Sequence, residues 1–193
     1  MSMASSFVKI PRERIGVLIG PKGKVKQQIE EALRVKLDVD SATGGVTIYL
    51  GEDSEDPSGI FRAKELVLAI GRGFSPERAF RLFDEEAILQ LIDLRDIVGK
   101  SESDMKRLKG RVIGREGKTR RTIEELTETD IAVYGHTIGI IGSPENVQTA
   151  REAVMMLLKG SQHNTVYRFL HRKRREMKRK MLEIWEKPEE TPP

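Results

Sequence analysis

The sequence contains no cysteine, so disulfide bonds, thiolate nucleophiles and cysteine-ligated zinc sites are excluded. Aromatic residues make up only 5% of the chain, which disfavours nucleic-acid binding on a platform of stacked aromatic rings. Residues 1–11 lack the apolar core of a signal peptide, and no apolar run is long enough to cross a bilayer. We therefore expect a cytoplasmic protein that has no membrane partner.

Charged residues are abundant and unevenly distributed. The 193 residues carry a formal net charge of +4 and give a sequence pI of ≈ 9.3, which is compatible with a polyanionic partner. Residues 106–121 contain eight basic residues and one acidic residue, Glu116. Residues 161–193 contain nine basic residues and five acidic ones. The positive charge is therefore concentrated in two segments.

A short motif occurs twice, each time between two helical patterns. Residues 19–24 and 113–118 both read Ile-Gly-x-x-Gly-Lys. Glycine reaches positive φ at low cost and leaves room for a backbone-sized partner, so each motif predicts an open, tight turn between helices. The offset of 94 residues between the motifs also relates Val39 to Val133. This indicates an internal duplication.

Hydrophobic periodicity predicts the same element order in both halves: strand, helix, glycine motif, helix, hairpin and helix. The first half is predicted to contain a strand at 7–10, helices on both sides of the motif, strands at 35–40 and 46–50, and a helix that is capped by Asp56 and ends at Gly71. The second is predicted to contain a strand at 88–97, a helix capped by Ser101 or Ser103, a helix at 119–126, strands at 131–134 and 137–141 joined by a two-residue turn, and a helix at 143–160.

The remaining residues predict a connector and a C-terminal helix. Residues 165–185 combine an apolar stripe with eight basic residues between Arg168 and Lys180, which indicates a basic amphipathic helix and favours contact with nucleic acid. The predicted domains are a first unit at 1–73, a helical connector at 74–86, a second unit at 87–160, the basic helix at 161–187 and a disordered tail at 188–193.

Each unit resembles a type I KH domain. The resemblance implies an α+β fold of tandem domains, each ordered βααββα, with a three-stranded antiparallel sheet covered by three helices. In KH domains the glycine loop grips about four nucleotides of a single strand while the bases lie in an apolar groove. By this resemblance, the groove of the second unit is walled by Val112, Ile113, Ile123, Ile131 and Val133.

The candidate RNA-binding residues come from the two motifs and the C-terminal helix. In the second unit they are Arg111, Ile113, Gly114, Arg115, Gly117, Lys118, Arg120, Arg121, Ile131 and Val133. In the first unit they are Gly20, Pro21, Lys22, Gly23, Lys24 and Lys26, and in the C-terminal helix Arg172, Lys173 and Arg175. Glu116 is discordant, because a carboxylate beside a phosphate is repulsive unless Arg115 pairs with it or its side chain points away.

Catalytic alternatives are disfavoured. A Walker A motif needs a glycine five residues before its second glycine, where this chain has Val112 and, in the first unit, Leu18. The three histidines show no metal-ligand spacing, and no catalytic carboxylate pair or nucleophile signature is present. The sequence therefore predicts a protein that is not an enzyme and needs no cofactor or metal.

A closer resemblance lies in residues 108–127, in the turn Tyr134-Gly-His-Thr-Ile138 and in residues 160–167. These segments look like the archaeal members of the Dim-two/Krr-one family, relatives of the eukaryotic partner-of-Nob-one protein. The resemblance implies a small-subunit ribosome-assembly factor that binds single-stranded RNA near the 3′ end of the rRNA. It also implies two partners, the Nob endonuclease and the alpha subunit of translation initiation factor two. The alternative is a docking adaptor for such proteins, with RNA binding secondary.

Overall fold

The computed structural model describes residues 5–51 and 57–186, and its elements follow the predicted order. The first unit consists of β1 (Ser5–Lys9), α1 (Arg12–Ile19), α2 (Lys24–Leu33), β2 (Val35–Asp40), β3 (Gly45–Leu50) and α3 (Ser58–Gly71). The connector contains α4 (Pro76–Ala79) and a 3-10 turn at Phe80–Phe83. The rest consists of β4 (Ile88–Asp93), α5 (Arg95–Val98), α6 (Glu102–Ile113), α7 (Lys118–Thr127), β5 (Asp130–Tyr134), β6 (Thr137–Gly142), α8 (Pro144–Leu158) and α9 (His163–Glu186).

The two units have the same sheet topology. Their strand orders are β1-β3-β2 and β4-β6-β5, and every pairing is antiparallel. Alternating residues place one face of each strand on the helices: Leu37 lies opposite Ile48 in the first sheet, and Ile131 lies opposite Ile140 in the second. All four side chains are buried. The predicted α+β fold is confirmed.

One predicted boundary changes. The strand predicted at residues 88–97 is too long, since β4 ends at Asp93 and a helical turn, α5, follows. The cause is local: the Asp93 carboxylate accepts the backbone N–H of Arg95 at 2.9 Å, which turns the chain. Ser101 caps α6, its Oγ accepting the backbone N–H of Asp104 at 3.4 Å. The predicted Asp56 cap and residues 188–193 lie outside the described residues.

The C-terminal helix differs between its two halves. In its first half, Val166, Phe169 and Leu170 are buried in the core of the second unit, and α9 packs along α7 and α8. In its second half, Met181 is 64% exposed and Ile184 is 73% exposed. The helix therefore begins as an additional layer of the second unit and extends beyond it.

The connector joins the two units into one packed structure. Phe74 is 1% exposed and fills the space left by the missing side chain of Gly139 in β6, where a Cβ would lie 2.6 Å from the ring. The Arg78 guanidinium bonds to the Glu124 carboxylate at 2.8 Å and lies 3.3 Å from Asp130. Both faces of β6 are therefore covered, one by helices of its own unit and the other by the connector.

A second contact joins α1 to the β5–β6 hairpin. The Tyr134 hydroxyl donates a hydrogen bond to the Glu13 carboxylate, and this bond is the main cause that lowers the pKa of Glu13. Burial, followed by the Glu13 carboxylate, raises the pKa of Tyr134. The Arg14 guanidinium lies 5.6 Å from the centre of the Tyr134 ring. The position of the first glycine motif is thus tied to the second unit through α1.

Candidate nucleic-acid interface

The first glycine loop (residues 20–23) and the second glycine loop (residues 114–117) have the same backbone conformation. Gly20 has φ 72° and ψ 176°, and Gly114 has φ 72° and ψ 178°. The last glycines also agree, with φ 74° and ψ 11° at Gly23 and φ 75° and ψ 12° at Gly117. The duplication seen in the sequence is therefore reproduced in the φ and ψ angles of both glycines of the loop.

The two glycines of each loop serve different purposes. A Cβ on Gly20 would lie 2.4 Å from Val25 Cγ2, and one on Gly114 would lie 2.2 Å from Thr119 Oγ1, so the first glycine allows the loop to pack on the next helix. A Cβ on Gly117 would meet nothing closer than 3.7 Å. Both glycines also have a positive φ, which other residues adopt at a cost, and at the last glycine this is the constraint that remains.

The start of α7 is open to an anion. Gly117 is the N-cap residue and supplies no side-chain hydrogen bond to the first turn, and Gly23 has the same role before α2. The first amide groups of a helix lack intrahelical partners, and the helix dipole favours a negative charge there. The backbone N–H of Lys118 already donates to the carbonyl oxygen of Arg115, so a phosphate at this position would meet the positive end of the helix dipole and the exposed ammonium group of Lys118.

Glu116 occupies the third position of the second loop in a left-handed conformation, with φ 52° and ψ 27°. Lys22 has the same conformation in the first loop, with φ 53° and ψ 29°. Glu116 is exposed, and no ion pair joins its carboxylate to Arg115 or to any other described residue. Of the two alternatives for Glu116, pairing with Arg115 is therefore not found in the described part of the chain.

The apolar groove is narrower than predicted. Ile113 and Val133 are partly exposed, whereas Val112, Ile123 and Ile131 are fully buried and contribute to the core beneath the groove. Ile131, which the sequence predicts as a contact residue, is 0% exposed, so it contributes to the core and not to the open surface of the groove. Ile19 and Val39 are the partly exposed counterparts in the first unit.

Two lysines extend the face of α6 that carries Ile113. Lys109 and Lys106 lie four and seven residues before Ile113, a spacing that places them on one side of a helix. The Lys109 ammonium donates to the carbonyl oxygen of Gly135 at 2.9 Å. Both lysines line a cleft of about 680 Å³ at the β5–β6 turn. The sequence prediction missed them as site residues, although their helical spacing from Ile113 could have identified them.

The basic residues of the second loop divide into free and engaged side chains. Arg115, Lys118 and Arg121 are exposed and form no ion pair with the described residues. Arg120 lies 3.8 Å from the Glu124 carboxylate, as Lys26 lies 3.9 Å from Glu30 in the first unit. The free cations are the ones best placed to meet phosphates.

Arg111 has a structural role. Its Nε donates to the carbonyl oxygen of Leu157 at 2.9 Å, and its Nη2 donates to that of Ser161 at 2.5 Å. These bonds hold the C-terminal end of α8, whose last carbonyls lack helical partners. Arg111 remains a predicted RNA contact, and in the folded chain its guanidinium also holds the end of α8.

In each unit, a carboxylate at the equivalent position supports the glycine loop through a hydrogen bond to the backbone. Glu30 accepts the backbone N–H of Leu37 at 2.8 Å, and Glu124 accepts that of Ile131 at 2.7 Å. Each bond joins the helix after the glycine loop to the following strand. Glu124 is also bonded to Arg78 of the connector, so the support of the second loop reaches into the rest of the molecule.

The predicted contacts on α9 lie apart from the second loop. Arg172 and Arg175 line a cleft of about 680 Å³ beside Met156 of α8, and Lys173 lies 5.8 Å from the centre of the Phe169 ring. The α9 residues that reach the second loop are His163 and Tyr167, which were not predicted. The Tyr167 hydroxyl lies 3.1 Å from Thr119 Oγ1.

Both units match known protein families. A family described as "Eukaryotic type KH-domain (KH-domain type I)" matches residues 88–175, and one described as "KH domain" matches residues 5–69. The chain is 50% identical over 181 residues to the KH domain-containing protein MJ0443 of Methanocaldococcus jannaschii, which covers 94% of this chain and 79% of that protein. The chain belongs to the KH-domain family that includes Dim2p and PNO1, a family of ribosome-assembly proteins.

Two further relatives support this assignment. A chain in the crystal structure of an a/eIF2alpha–aDim2p–rRNA complex from Pyrococcus horikoshii matches with a TM-score of 0.84 and 46% identity, over 90% of this chain and 95% of that chain. The pre-rRNA-processing protein PNO1 of Phaeosphaeria nodorum is 26% identical over 161 residues, which are 83% of this chain and 62% of that protein. The family match over residues 88–175 includes the half of α9 that packs in the core of the second unit.

Other classes of site receive no support from the described residues. Within residues 5–51 and 57–186, no three His, Asp or Glu side chains converge as a metal site would require. In the same part of the chain, none of the helices combines the length and apolar character that crossing a membrane requires.

Proposed function

We propose that this KH protein binds single-stranded RNA near the 3′ end of small-subunit rRNA during assembly of the small ribosomal subunit, chiefly through its second KH domain. The observation that carries the proposal is the second glycine loop, where a helix start without a side-chain cap is surrounded by Arg115, Lys118 and Arg121, none of which forms an ion pair with a described residue. The rRNA in the complex that contains the Pyrococcus horikoshii relative supports the choice of RNA.

In the proposed complex, one set of residues holds the RNA backbone and another set contacts the bases. The exposed cations beside the start of α7 contact phosphates, which holds the strand without reading its sequence. The bases lie along Ile113 and Val133, where apolar contact and hydrogen bonds at base edges supply preference. About four nucleotides fit such a groove.

The test is to replace Arg115 and Glu116 by aspartate, which leaves both loop glycines in place. We expect RNA affinity to fall at least about tenfold, since a cation that meets phosphate becomes an anion. Lys64→Asp is the matched control, because Lys64 is exposed on α3 and its substitution changes the charge by the same amount. Unchanged RNA affinity in the folded loop variant would refute the proposal.

A docking role is the second candidate function. It is favoured by the presence of initiation factor two alpha in the complex of the relative and by the exposed apolar residues Met181, Leu182 and Ile184 on α9. Such a role predicts that the alpha subunit, and the Nob endonuclease implied by the resemblance, still bind when both glycine loops carry Gly-Asp-Asp-Gly. A pulldown with each purified partner tests this, and loss of both partners from the folded double variant would contradict it.

We also propose that the protein acts without catalysis. The second loop lacks the first glycine of a Walker A motif, which is replaced by Val112 at a fully buried position. We expect neither ATP binding nor ATP hydrolysis by the purified protein. Turnover that disappears when Lys118 is changed would overturn this expectation.

A further inference from the structure

Helix α6 presents different residues to its two sides. Lys106, Lys109 and Ile113 face the β5–β6 turn and form the groove side, as the bond from Lys109 to Gly135 shows. Arg107 and Arg111 lie on the opposite side, toward α8 and α9, as the bonds of Arg111 to the end of α8 show. The second glycine loop therefore separates two spaces, of which the KH groove accounts for only one.

The second space is a cavity of about 480 Å³ between this loop and the start of α9. Its charged and aromatic lining consists of Arg107, Arg111, Arg115, Lys118, His163 and Tyr167, and none of the described residues that line it is acidic. Arg115 and Lys118 form no ion pair with described residues, and among the same residues Arg107 pairs only with Asp104, at 3.3 Å and largely in solvent. Exposed ion pairs of this kind are weak and exchange readily for a phosphate.

The aromatic residues of the cavity are fixed in place. The Tyr167 hydroxyl and Thr119 Oγ1 are 3.1 Å apart, and Thr119 is only 4% exposed. His163 Nε2 lies 2.9 Å from the carbonyl oxygen of Arg111 and must be the donor, because a carbonyl oxygen only accepts. The two ring centres are 6.4 Å apart with planes tilted by 58°, so the rings do not stack on each other. The half-buried Tyr167 ring remains as a surface for a base.

We propose that this cavity is a second subsite for the same RNA strand, which takes a nucleotide that flanks the segment held in the KH groove. The base of that nucleotide stacks on Tyr167, and its phosphate lies among Arg107, Arg115 and Lys118. Positive charge combined with an aromatic face is the arrangement by which proteins bind single strands without strict sequence preference. This inference rests on the proposed RNA-binding function.

Among the described residues, the first KH domain offers no equivalent subsite. Val25 stands where Thr119 anchors Tyr167, and Glu13 stands where Arg107 supplies a cation, by the offset of 94 residues. The Glu13 carboxylate is moreover occupied by Tyr134. We therefore expect an extended RNA path at the second glycine loop alone.

The experiment compares RNA lengths by fluorescence anisotropy on the full chain. The probes are a tetranucleotide from the 3′ end of archaeal small-subunit rRNA and the same tetranucleotide extended by two nucleotides at either its 5′ or its 3′ end. For the unaltered protein, one of the two extensions is expected to raise affinity about five- to hundredfold, the range that stacking of one base produces.

Two variants assign that gain to the cavity. Arg107→Ala, at an exposed position, and Tyr167→Leu, which keeps apolar bulk, are expected to reduce the gain to less than about threefold while tetranucleotide affinity stays within about twofold. Tyr167→Phe retains the ring and should retain most of the gain. Lys64→Ala is the control for loss of an exposed positive charge outside the second KH domain.

The outcomes distinguish this proposal from the one on which it rests. If the longer RNA still binds more tightly than the tetranucleotide in Arg107→Ala and in folded Tyr167→Leu, the proposal of a second subsite is overturned. Loss of tetranucleotide binding in the Arg115→Asp/Glu116→Asp variant supports the KH groove independently of that result. Arg107-dependent binding of a glutamate-rich peptide, together with an unchanged RNA length gain, would identify the cavity as a protein site and also overturn the proposal.

Discussion

The two glycine loops share a backbone but not a chemical environment. Their corresponding φ and ψ angles agree within 2° at both glycines. Around the second loop the chain places Arg115 and Arg121 where the first has Pro21 and Gln27. Over equivalent 16-residue windows, residues 106–121 carry eight basic residues and one acidic residue, against five and one in residues 12–27.

This difference separates the cause of the fold from the cause of the function. The loop conformation follows from two glycines between helices and from a tight contact with the next helix, conditions that both units meet. RNA affinity depends on side chains that neutralise phosphates, and these differ. The same loop backbone can therefore be the main RNA contact in one unit and a weaker RNA contact or a protein-docking surface in the other.

The largest expected effect comes from equivalent changes in the two loops. Arg115→Asp/Glu116→Asp changes the net charge by −2, whereas Pro21→Asp/Lys22→Asp changes it by −3. We nevertheless expect at least about a tenfold loss of RNA affinity from the former and less than about threefold from the latter. Aspartate tolerates the left-handed conformation at positions 116 and 22, so both variants should fold. Equal losses would remove the distinction between the loops.

An effect on stability, and not on RNA affinity, is expected when the bracing carboxylates are neutralised. Glu124→Gln should lower the free energy of unfolding by about 2 kcal/mol, because Arg78 and Arg120 lose their charged partner. Glu30→Gln should cost less than about 1 kcal/mol, because only Lys26 pairs with Glu30, at 3.9 Å and partly in solvent. Denaturant unfolding measures both values. A larger loss for Glu30→Gln would show that the first unit depends more on its brace.

Exchanging one residue between the units should have a modest effect on RNA binding. Arg121→Gln places the first unit's residue in the second, and we expect a few-fold weaker affinity. The slope of log affinity against log salt should fall by about 0.7 for the lost phosphate contact. Gln27→Arg in the first unit is the reciprocal variant. A slope that Arg121→Gln leaves unchanged would show that Arg121 meets no phosphate.

The smallest effect concerns acid stability at the end of β4, which has no equivalent turn in the first unit. Hydrogen bonds from Arg95 are the main cause that lowers the pKa of Asp93 from 3.8 to about 2. Since the folded-state pKa is depressed, the stabilisation is present above pH about 4 and is lost as the pH falls toward 2. Asp93→Asn should therefore lose less stability than the unaltered protein between pH 5 and pH 3, as measured by denaturant unfolding.

The sequence predicted the element order and the two loops because glycine spacing and apolar periodicity are local signals. It could not tell which arginine of a basic run is free, since Arg111 and Arg115 differ only in what the folded chain brings beside them. Helical periodicity likewise places Val166 and Met181 on one stripe, although only Val166 meets the second core. The hydrogen bonds of Glu30 and Glu124 could have been predicted from the sequence. Each glutamate lies seven residues before the strand residue that it binds, and the pattern repeats at an offset of 94 residues.

The most direct test of the account is to map ultraviolet crosslinks between the full chain and a single-stranded RNA from the 3′ end of archaeal small-subunit rRNA. Mass spectrometry of the crosslinked peptides compares the two units in one unaltered molecule. We predict that crosslinks concentrate in residues 106–121, with further crosslinks at Tyr167, and that residues 12–27 yield few. Crosslinks concentrated in residues 12–27 would contradict the claim that the second glycine loop is the principal RNA contact.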